Sequence, residues 1–113
     1  GIKTAAFIGP DKAQIKEAAR LGFDAIEIHT GEYANASTSD RKVALSAVRE
    51  AATAGRKYGM RVHAGHGLTY HNVRPIVTVQ EIEELNIGHS IISRAVFVGM
   101  EAAVREMVEL MRR

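Results

Sequence analysis

Short β-compatible runs alternate with helix-compatible segments along the whole chain, and this alternation limits the possible folds more than any other feature. Each run is followed by apolar residues at helical spacing. Four strand–helix units in strict alternation predict an α/β fold, in which helices cover a parallel sheet. The predicted strands are Ile2–Ile8, Ala25–His29, Arg61–Ala64 and Glu84–Ile87.

The helical segments carry recognisable start and stop signals. Asp11 can cap a first helix that ends at Gly22, and Asp40 opens a long second helix that closes near Gly59. The polar stretch between them, Glu32–Ser39, is predicted to be a loop. The remaining predicted helices are Val73 to about Glu83, Ile91–Val96 and Met100–Met111.

The length of the chain separates two α/β architectures. At 113 residues and 46% apolar composition, residues 1–113 form one domain-sized unit. An open doubly wound sheet normally has a glycine-rich first turn, whereas Gly9-Pro10-Asp11 is no G-x-G-x-x-G. A (β/α)₈ TIM barrel needs about 250 residues, and such barrels often bind phosphate with a short extra helix near their last strands. We therefore expect about half of a TIM barrel: four β/α units plus a short phosphate-site helix.

Composition excludes several classes of function. The chain has no cysteine, so disulfides and thiolate zinc sites are excluded. Its formal net charge of +2 is too small, and its basic residues too scattered, to indicate nucleic-acid binding. No apolar run approaches the roughly 18 residues of a membrane helix, and no secretory leader is visible, so we expect a cytoplasmic location. Anionic small molecules remain possible ligands.

The stretch Val62–Asn72 is the strongest candidate for a functional loop. It leaves a strand and places His66 between Gly65 and Gly67, and glycine lets the backbone pass close to a ligand. His66 is therefore expected to be presented to a ligand. A glycine turn with uninvolved histidines is the alternative.

A carboxylate in the second strand is the other candidate. Since side chains alternate across a strand, Glu27 and His29 share the face opposite Ile26 and Ile28.

A zinc site would need several of these side chains to converge. His63, His66, His71 and Glu27 could in principle do so. However, the i, i+3 spacing of His63 and His66 spans a strand end, and no H-E-x-x-H motif is present. No metal is therefore expected.

Three ordered motifs make the chain similar to a known family. Phe23–Gly31, Ala64–Asn72 and Glu84–Ile92 together closely resemble the pyridoxine 5′-phosphate synthases of vitamin B6 biosynthesis. The resemblance covers nearly the whole chain but only the family's C-terminal half. The N-terminal half of the family, with an Asn-x-Asp-His stretch, a His-Leu-Arg-Glu-Asp segment and a further catalytic glutamate, has no counterpart here.

The resemblance implies a reaction and a set of site residues. The reaction condenses 1-deoxy-D-xylulose 5-phosphate with 3-amino-2-oxopropyl phosphate to pyridoxine 5′-phosphate, releasing phosphate and water, with no redox cofactor or metal. His66 matches the family's proton donor, and Glu27 matches a carboxylate that stabilises the transition state. Gly67, Gly88 and His89 match positions that bind the phosphate of the amino-ketone.

Structural alternatives stay open for each of these residues. Glu27 could be a buried carboxylate paired with a cation, and Gly88 with His89 could form only a tight turn. His29 and His63 are expected to be structural, and the role of His71 is undecided.

The half-barrel prediction carries expectations about partners. We expect two open sheet edges, an uncovered inner layer that exposes apolar surface, and pairing with an N-terminal half or with further copies, as in a homo-oligomer. A non-catalytic half-barrel that keeps only a phosphate site is the alternative function.

Overall fold

A single parallel sheet forms the centre of the molecule. The computed structural model describes residues 1–113, and it has four strands that lie side by side in chain order. All three neighbouring pairs are parallel. The predicted α/β class with a parallel sheet is therefore confirmed. The strands are β1 Ala5–Ile8, β2 Ala25–His29, β3 Arg61–Gly65 and β4 Glu84–Asn86.

Six helices connect and follow these strands. Asp11 caps the first helix as expected, since its Oδ1 atom accepts hydrogen bonds from the backbone N–H groups of Ala13 (2.7 Å) and Gln14 (3.0 Å). None of the six combines the length and apolar character required to cross a membrane. They are α1 Lys12–Arg20, α2 Gly31–Asn35, α3 Arg41–Lys57, α4 Val73–Val77, α5 His89–Val98 and α6 Met100–Met111.

The first strand is shorter than predicted at its start. Pairing with β2 begins only at Ala5, opposite Ala25. Before it, the carbonyl oxygen of Thr4 accepts hydrogen bonds from the backbone N–H groups of Asp24 and Ala25, both at 3.1 Å. Ile2 stays 92% exposed. At the start of the predicted strand, hydrogen bonds between Thr4 and the turn that precedes β2 therefore replace strand pairing.

A predicted loop and the predicted end of α4 were also wrong, and α5 extends two residues beyond the predicted Ile91–Val96 at each end. The stretch predicted as a loop after β2 begins with the short helix α2, whose Tyr33 is buried at 1% exposure. Helix α4 ends at Val77, well before Glu83, because turns then carry the chain through the buried Val79 and Ile82. In α2 and at the end of α4, the burial of single apolar side chains determines the structure. The spacing of apolar residues in the sequence does not reveal this burial.

One face of the sheet carries the hydrophobic core. Ile26, Ile28, Val62 and Ala64 point to this face and are all fully buried. Helix α3 packs directly on them, because a Cβ atom at Gly55 would lie only 2.7 Å from Ile26 Cδ1. We call this the covered face.

The opposite face of the sheet has no helix over it, and we call it the open face. Its central row runs from Phe7 through Glu27 and His63 to Glu84, one residue from each strand. β1 and β4 are the two edges, as expected for half of a barrel. The expectation of an apolar inner layer was wrong, because three of the four side chains in this row are polar.

The apolar surface that remains exposed lies mainly on the last two helices. Phe97 is 84% exposed and Val96 is 80% exposed, and the exposure continues into α6. A second apolar stripe on α6, which includes Ala103 and Met107, is buried. Helix α6 therefore has one partnered and one unpartnered apolar side. The exposed apolar residues of the two helices are Ile92, Val96, Phe97, Val98, Met100, Val104 and Val108.

Candidate active site

The loop that follows β3 holds an unusual backbone conformation at its histidine. His66 has a φ of 83°, a region that residues other than glycine rarely adopt, and Gly67 follows with a φ of 75°. Thr30, at the end of β2, holds this turn. Its hydroxyl Oγ1 lies 2.7 Å from the carbonyl oxygens of both Gly65 and His66, and its N–H donates to Gly65 O at 2.8 Å. Tertiary hydrogen bonds thus stabilise a conformation that is unfavourable locally.

Asn72 fixes the far end of the same loop. Its Nδ2 donates to the carbonyl oxygen of Gly67 at 3.1 Å, and its Oδ1 accepts from the N–H of Thr69 at 2.7 Å. Its own carbonyl oxygen accepts from the Tyr33 hydroxyl at 2.6 Å, and burial raises the pKa of Tyr33 above its ordinary value of 10.0. The phenol therefore stays protonated as a donor at neutral pH. Asn72 belongs to the candidate loop Val62–Asn72 of the sequence, whereas no role was predicted there for Tyr33 or Thr30.

The loop after β4 lies directly beside the loop after β3. Ser90 donates a hydrogen bond from Oγ to the carbonyl oxygen of Leu68 at 2.8 Å. Helix α5 begins at His89, with Gly88 as its N-cap residue. The first backbone N–H groups of a helix have no partner within the helix and carry the positive end of its dipole. One helix N-terminus therefore faces the space between the two loops.

These loops enclose a pocket of about 480 Å³ at the carboxyl ends of the strands. All five site residues predicted from the sequence line it, so the structure brings them together. Seven further residues complete the wall. The predicted residues are Glu27, His66, Gly67, Gly88 and His89, and the others are Phe7, Leu68, Thr69, Asn86, Ile87, Ser90 and Ser93.

Glu27 reaches this pocket across the backbone of the neighbouring strand. A Cβ atom at Gly65 would collide with Glu27 Oε1 and would lie 2.8 Å from the carbonyl oxygen of Asn86. Gly65 therefore has to be a glycine for the carboxylate to occupy this position. Glu27 is partly buried, faces the pocket, and takes no part in the ion pairs of the chain. Within residues 1–113, Glu27 therefore has no cationic partner, and its role as a paired or a catalytic carboxylate stays a prediction.

The other histidines occupy three different surroundings. The ring of His29 stacks on that of His66, with ring centroids 4.5 Å apart. His63 is largely buried, with Nδ1 3.5 Å from Glu84 Oε1 and Nε2 3.8 Å from Glu83 Oε1. His71 is exposed and does not line the pocket. No three His, Asp or Glu side chains in the chain are grouped as metal ligands would be.

The arrangement defines a class of protein before any comparison. A pocket at the carboxyl ends of parallel strands is the usual position of the active site in α/β enzymes, and a helix N-terminus beside it favours an anionic ligand.

Comparison with known proteins then identifies the family. The family model described as Pyridoxal phosphate biosynthesis protein PdxJ matches residues 1–113, and the chain belongs to this family. The resemblance seen in the three sequence motifs is confirmed.

Curated relatives carry the name Pyridoxine 5′-phosphate synthase. The protein of Magnetococcus marinus is 52% identical over 113 residues, which cover 99% of this chain and 46% of the relative. That of Trichlorobacter lovleyi is 54% identical over 114 residues, which cover 100% of this chain and 48% of the relative. The chain thus spans about half the length of the curated relatives it matches.

Proposed function

We propose that this chain supplies the C-terminal half of a (β/α)₈ barrel in a pyridoxine 5′-phosphate synthase. In this reaction 1-deoxy-D-xylulose 5-phosphate condenses with 3-amino-2-oxopropyl phosphate to give pyridoxine 5′-phosphate, phosphate and water. The observation that carries the proposal is the single pocket lined by Glu27, His66, Gly67, Gly88 and His89. Family membership and the names of the relatives support it.

The phosphate of the amino-ketone would bind between the two glycine loops. Gly88 and His89 begin helix α5, whose free N–H groups and dipole favour an anion. Gly67 lies on the other side of the pocket, and its backbone can approach the ligand because no side chain intervenes. Both features support the proposal that an anion binds between the two loops.

His66 and Glu27 would then act on the bound substrates. The condensation needs imine formation, dehydrations and ring closure, and each of these steps moves protons. His66 stands at the pocket wall on an exposed turn, where its imidazole can donate a proton to a leaving oxygen. Glu27 carries a negative charge that can stabilise cationic character developing on the amino-ketone nitrogen.

The missing half of the barrel is the partner that this proposal requires. β1 and β4 are both unpaired edges, and the row from Phe7 to Glu84 is uncovered. Unpaired strand edges recruit other strands. The chain would therefore associate with an N-terminal half, or with copies of itself, and the closed barrel would form the water-shielded site.

Complementation tests this function directly. The chain is co-purified with the N-terminal half of the Trichlorobacter lovleyi relative, and product formation from the two substrates is followed by mass spectrometry. We expect a complex on size exclusion with light scattering and synthase activity only in the mixture. A soluble monomer of this chain that ignores the added half would contradict the proposal.

A non-catalytic half-barrel that keeps only the phosphate site is the second candidate. It is supported by the pocket between the glycine loops and the N-terminus of α5, all of which lie within residues 1–113. Calorimetric titration with inorganic phosphate separates the two. Phosphate binding by a complex that forms but makes no product would support this second function over the first.

A further inference from the structure

One histidine outside the predicted site makes a close contact with the predicted proton donor. The rings of His29 and His66 are stacked, with centroids 4.5 Å apart and planes inclined by 23°. On its other side His29 contacts the ring of Phe7, with centroids 5.1 Å apart and planes inclined by 41°. Three rings from β1, the end of β2 and the loop after β3 therefore form one row at the mouth of the pocket.

The orientation of His29 is set by its own backbone. Its Nδ1 atom accepts a hydrogen bond from the N–H of Gly31 at 3.1 Å, at the start of α2. A nitrogen that accepts a hydrogen bond carries no proton, so the neutral ring has its hydrogen on Nε2. The bond fixes both the tautomer and the plane of the ring, and it leaves the face of the ring free to contact His66.

Gly31 provides the space beneath both rings. A Cβ atom at this position would collide with His29 Cε1 and would lie 3.3 Å from His66 Cδ2. Any larger residue would separate the pair or push it towards solvent. The glycine, the hydrogen bond and the stack form one local arrangement.

His66 needs such support because little else restrains its side chain. The residue is exposed and sits on a turn with positive φ. An exposed imidazole with two free torsions visits several rotamers, and catalysis is sensitive to misplacement of a reacting group. The stacked ring covers one face of His66, and the residue lines the pocket.

We propose that His29 is a positioning residue that holds the His66 imidazole in its catalytic orientation by ring stacking. The inference rests on the proposed function, in which His66 donates a proton. His29 itself is absent from the pocket wall, so its effect is transmitted through His66. Substrate affinity depends on the phosphate loops and is independent of this contact.

Two variants of His29 separate the contribution of the ring from that of the hydrogen bond. His29→Phe keeps a ring for stacking and loses the acceptor. His29→Asn keeps an acceptor near the Nδ1 position and loses the ring. Both are introduced into the complex of this chain with the N-terminal half, and melting temperatures are measured to establish that each variant folds.

The kinetic expectation is a split between kcat and KM. Loss of an aromatic pair should lower kcat by about tenfold in His29→Asn, with both KM values within about twofold of the unsubstituted complex. His29→Phe should retain most of kcat. Equal loss in the two variants, or a change confined to KM, would overturn the positioning role.

A spectroscopic readout tests the contact without using activity. A ring stacked on His29 shifts the His66 ring-proton resonances upfield, and this shift should persist in His29→Phe and vanish in His29→Asn. An unchanged spectrum in His29→Asn would overturn the proposal. If the unsubstituted complex makes no product, the proposed function fails and the catalytic role of the contact fails with it, while the spectra still decide whether His29 stacks on His66 and restrains its ring. If it makes product and His29→Asn is fully active, only the positioning role fails.

Discussion

The two faces of the sheet are built from the same strands and serve opposite purposes. On the covered face, Ile26, Ile28, Val62 and Ala64 are fully buried beneath helices. On the open face of the same two strands, Glu27, His29 and His63 are polar and partly exposed, and Glu27 lines the pocket. A change of one position along β2 thus moves a side chain from the core to the candidate site. The two-residue period of the strand therefore separates the hydrophobic core from the candidate site.

The comparison of the two faces predicts that the largest loss of activity follows substitution of His66, whose side chain is not part of the hydrophobic core. In the assembled enzyme, His66→Ala should lower kcat by about 10² to 10⁴, the usual contribution of a placed proton donor. The melting temperature should change little, because the side chain is exposed. His71→Ala is the matched control, since His71 is exposed in the same segment but lies outside the pocket. Equal activity of the two variants would remove His66 from the mechanism.

The covered face should respond in the opposite way. Ile26→Ala removes a fully buried side chain and should lower the free energy of unfolding by about 2 to 5 kcal/mol. Denaturant titration followed by circular dichroism measures it. Val43→Ala is the control, because Val43 is equally apolar but 73% exposed, and its effect should stay within about 0.5 kcal/mol. Similar losses in both would show that burial on this face does not hold the fold.

Glu27 follows Ile26 in β2 but lies on the open face, so its substitution should affect activity and spare stability. Glu27→Gln keeps the shape of the side chain and removes its charge, so it should lower kcat by about 10² with little loss of stability. Steady-state kinetics and thermal melts on the same sample check both parts. A variant with normal kcat and a strongly reduced melting temperature would make Glu27 a structural residue.

Thr30 directly follows β2 and connects the sheet to the loop that carries His66. Thr30→Val removes the hydroxyl that lies 2.7 Å from the carbonyl oxygens of Gly65 and His66. Loss of these buried hydrogen bonds should lower the free energy of unfolding by about 1 to 3 kcal/mol. Thr30→Ser retains the hydroxyl and should restore most of it in chemical denaturation. Equal values for Val and Ser would mean that the hydroxyl does not stabilise the turn.

The smallest effect concerns acid stability at the start of β3. Arg61 NεH donates to Glu83 Oε1 at 2.5 Å and thereby holds the pKa of Glu83 below its ordinary value of 4.5. The folded state therefore favours the charged carboxylate, so its contribution is present above about pH 4.5 and is lost as the pH falls through the lowered pKa. Glu83→Gln should flatten the pH dependence of unfolding in this range.

A double-mutant cycle with Arg61→Met supplies the control for this pair. Arg61→Met should flatten the profile only in part, because Arg56 Nη1 remains 3.7 Å from Glu83 Oε2, and the double variant should match Glu83→Gln alone. Additive effects would show that the two residues act on stability separately.

The bounds of the elements show which predictions local pattern supports. β2 and α6 begin and end at the predicted residues, because alternation at Ala25–His29 and the apolar spacing of Met100–Met111 are strong local signals. β1 and α4 were predicted too long, and α2 was missed. The start of β1 is determined by hydrogen bonds between Thr4 and the turn at Asp24, and the end of α4 by the burial of Val79. Helix α2 is held by the hydrogen bond from the Tyr33 hydroxyl to Asn72.

The sequence by itself determined the α/β class and, through three ordered motifs, the family and five of the residues that line the pocket. Strand alternation, apolar spacing and glycine placement are local properties of the chain, whereas the family follows from motifs spread between Phe23 and Ile92. Only the tertiary structure decided that the open face is polar, that Thr30 and Asn72 hold the His66 turn, and that His29 stacks on His66. These contacts join residues that are 5 to 37 positions apart. Their existence depends on strand register and on side-chain packing, which no local pattern encodes.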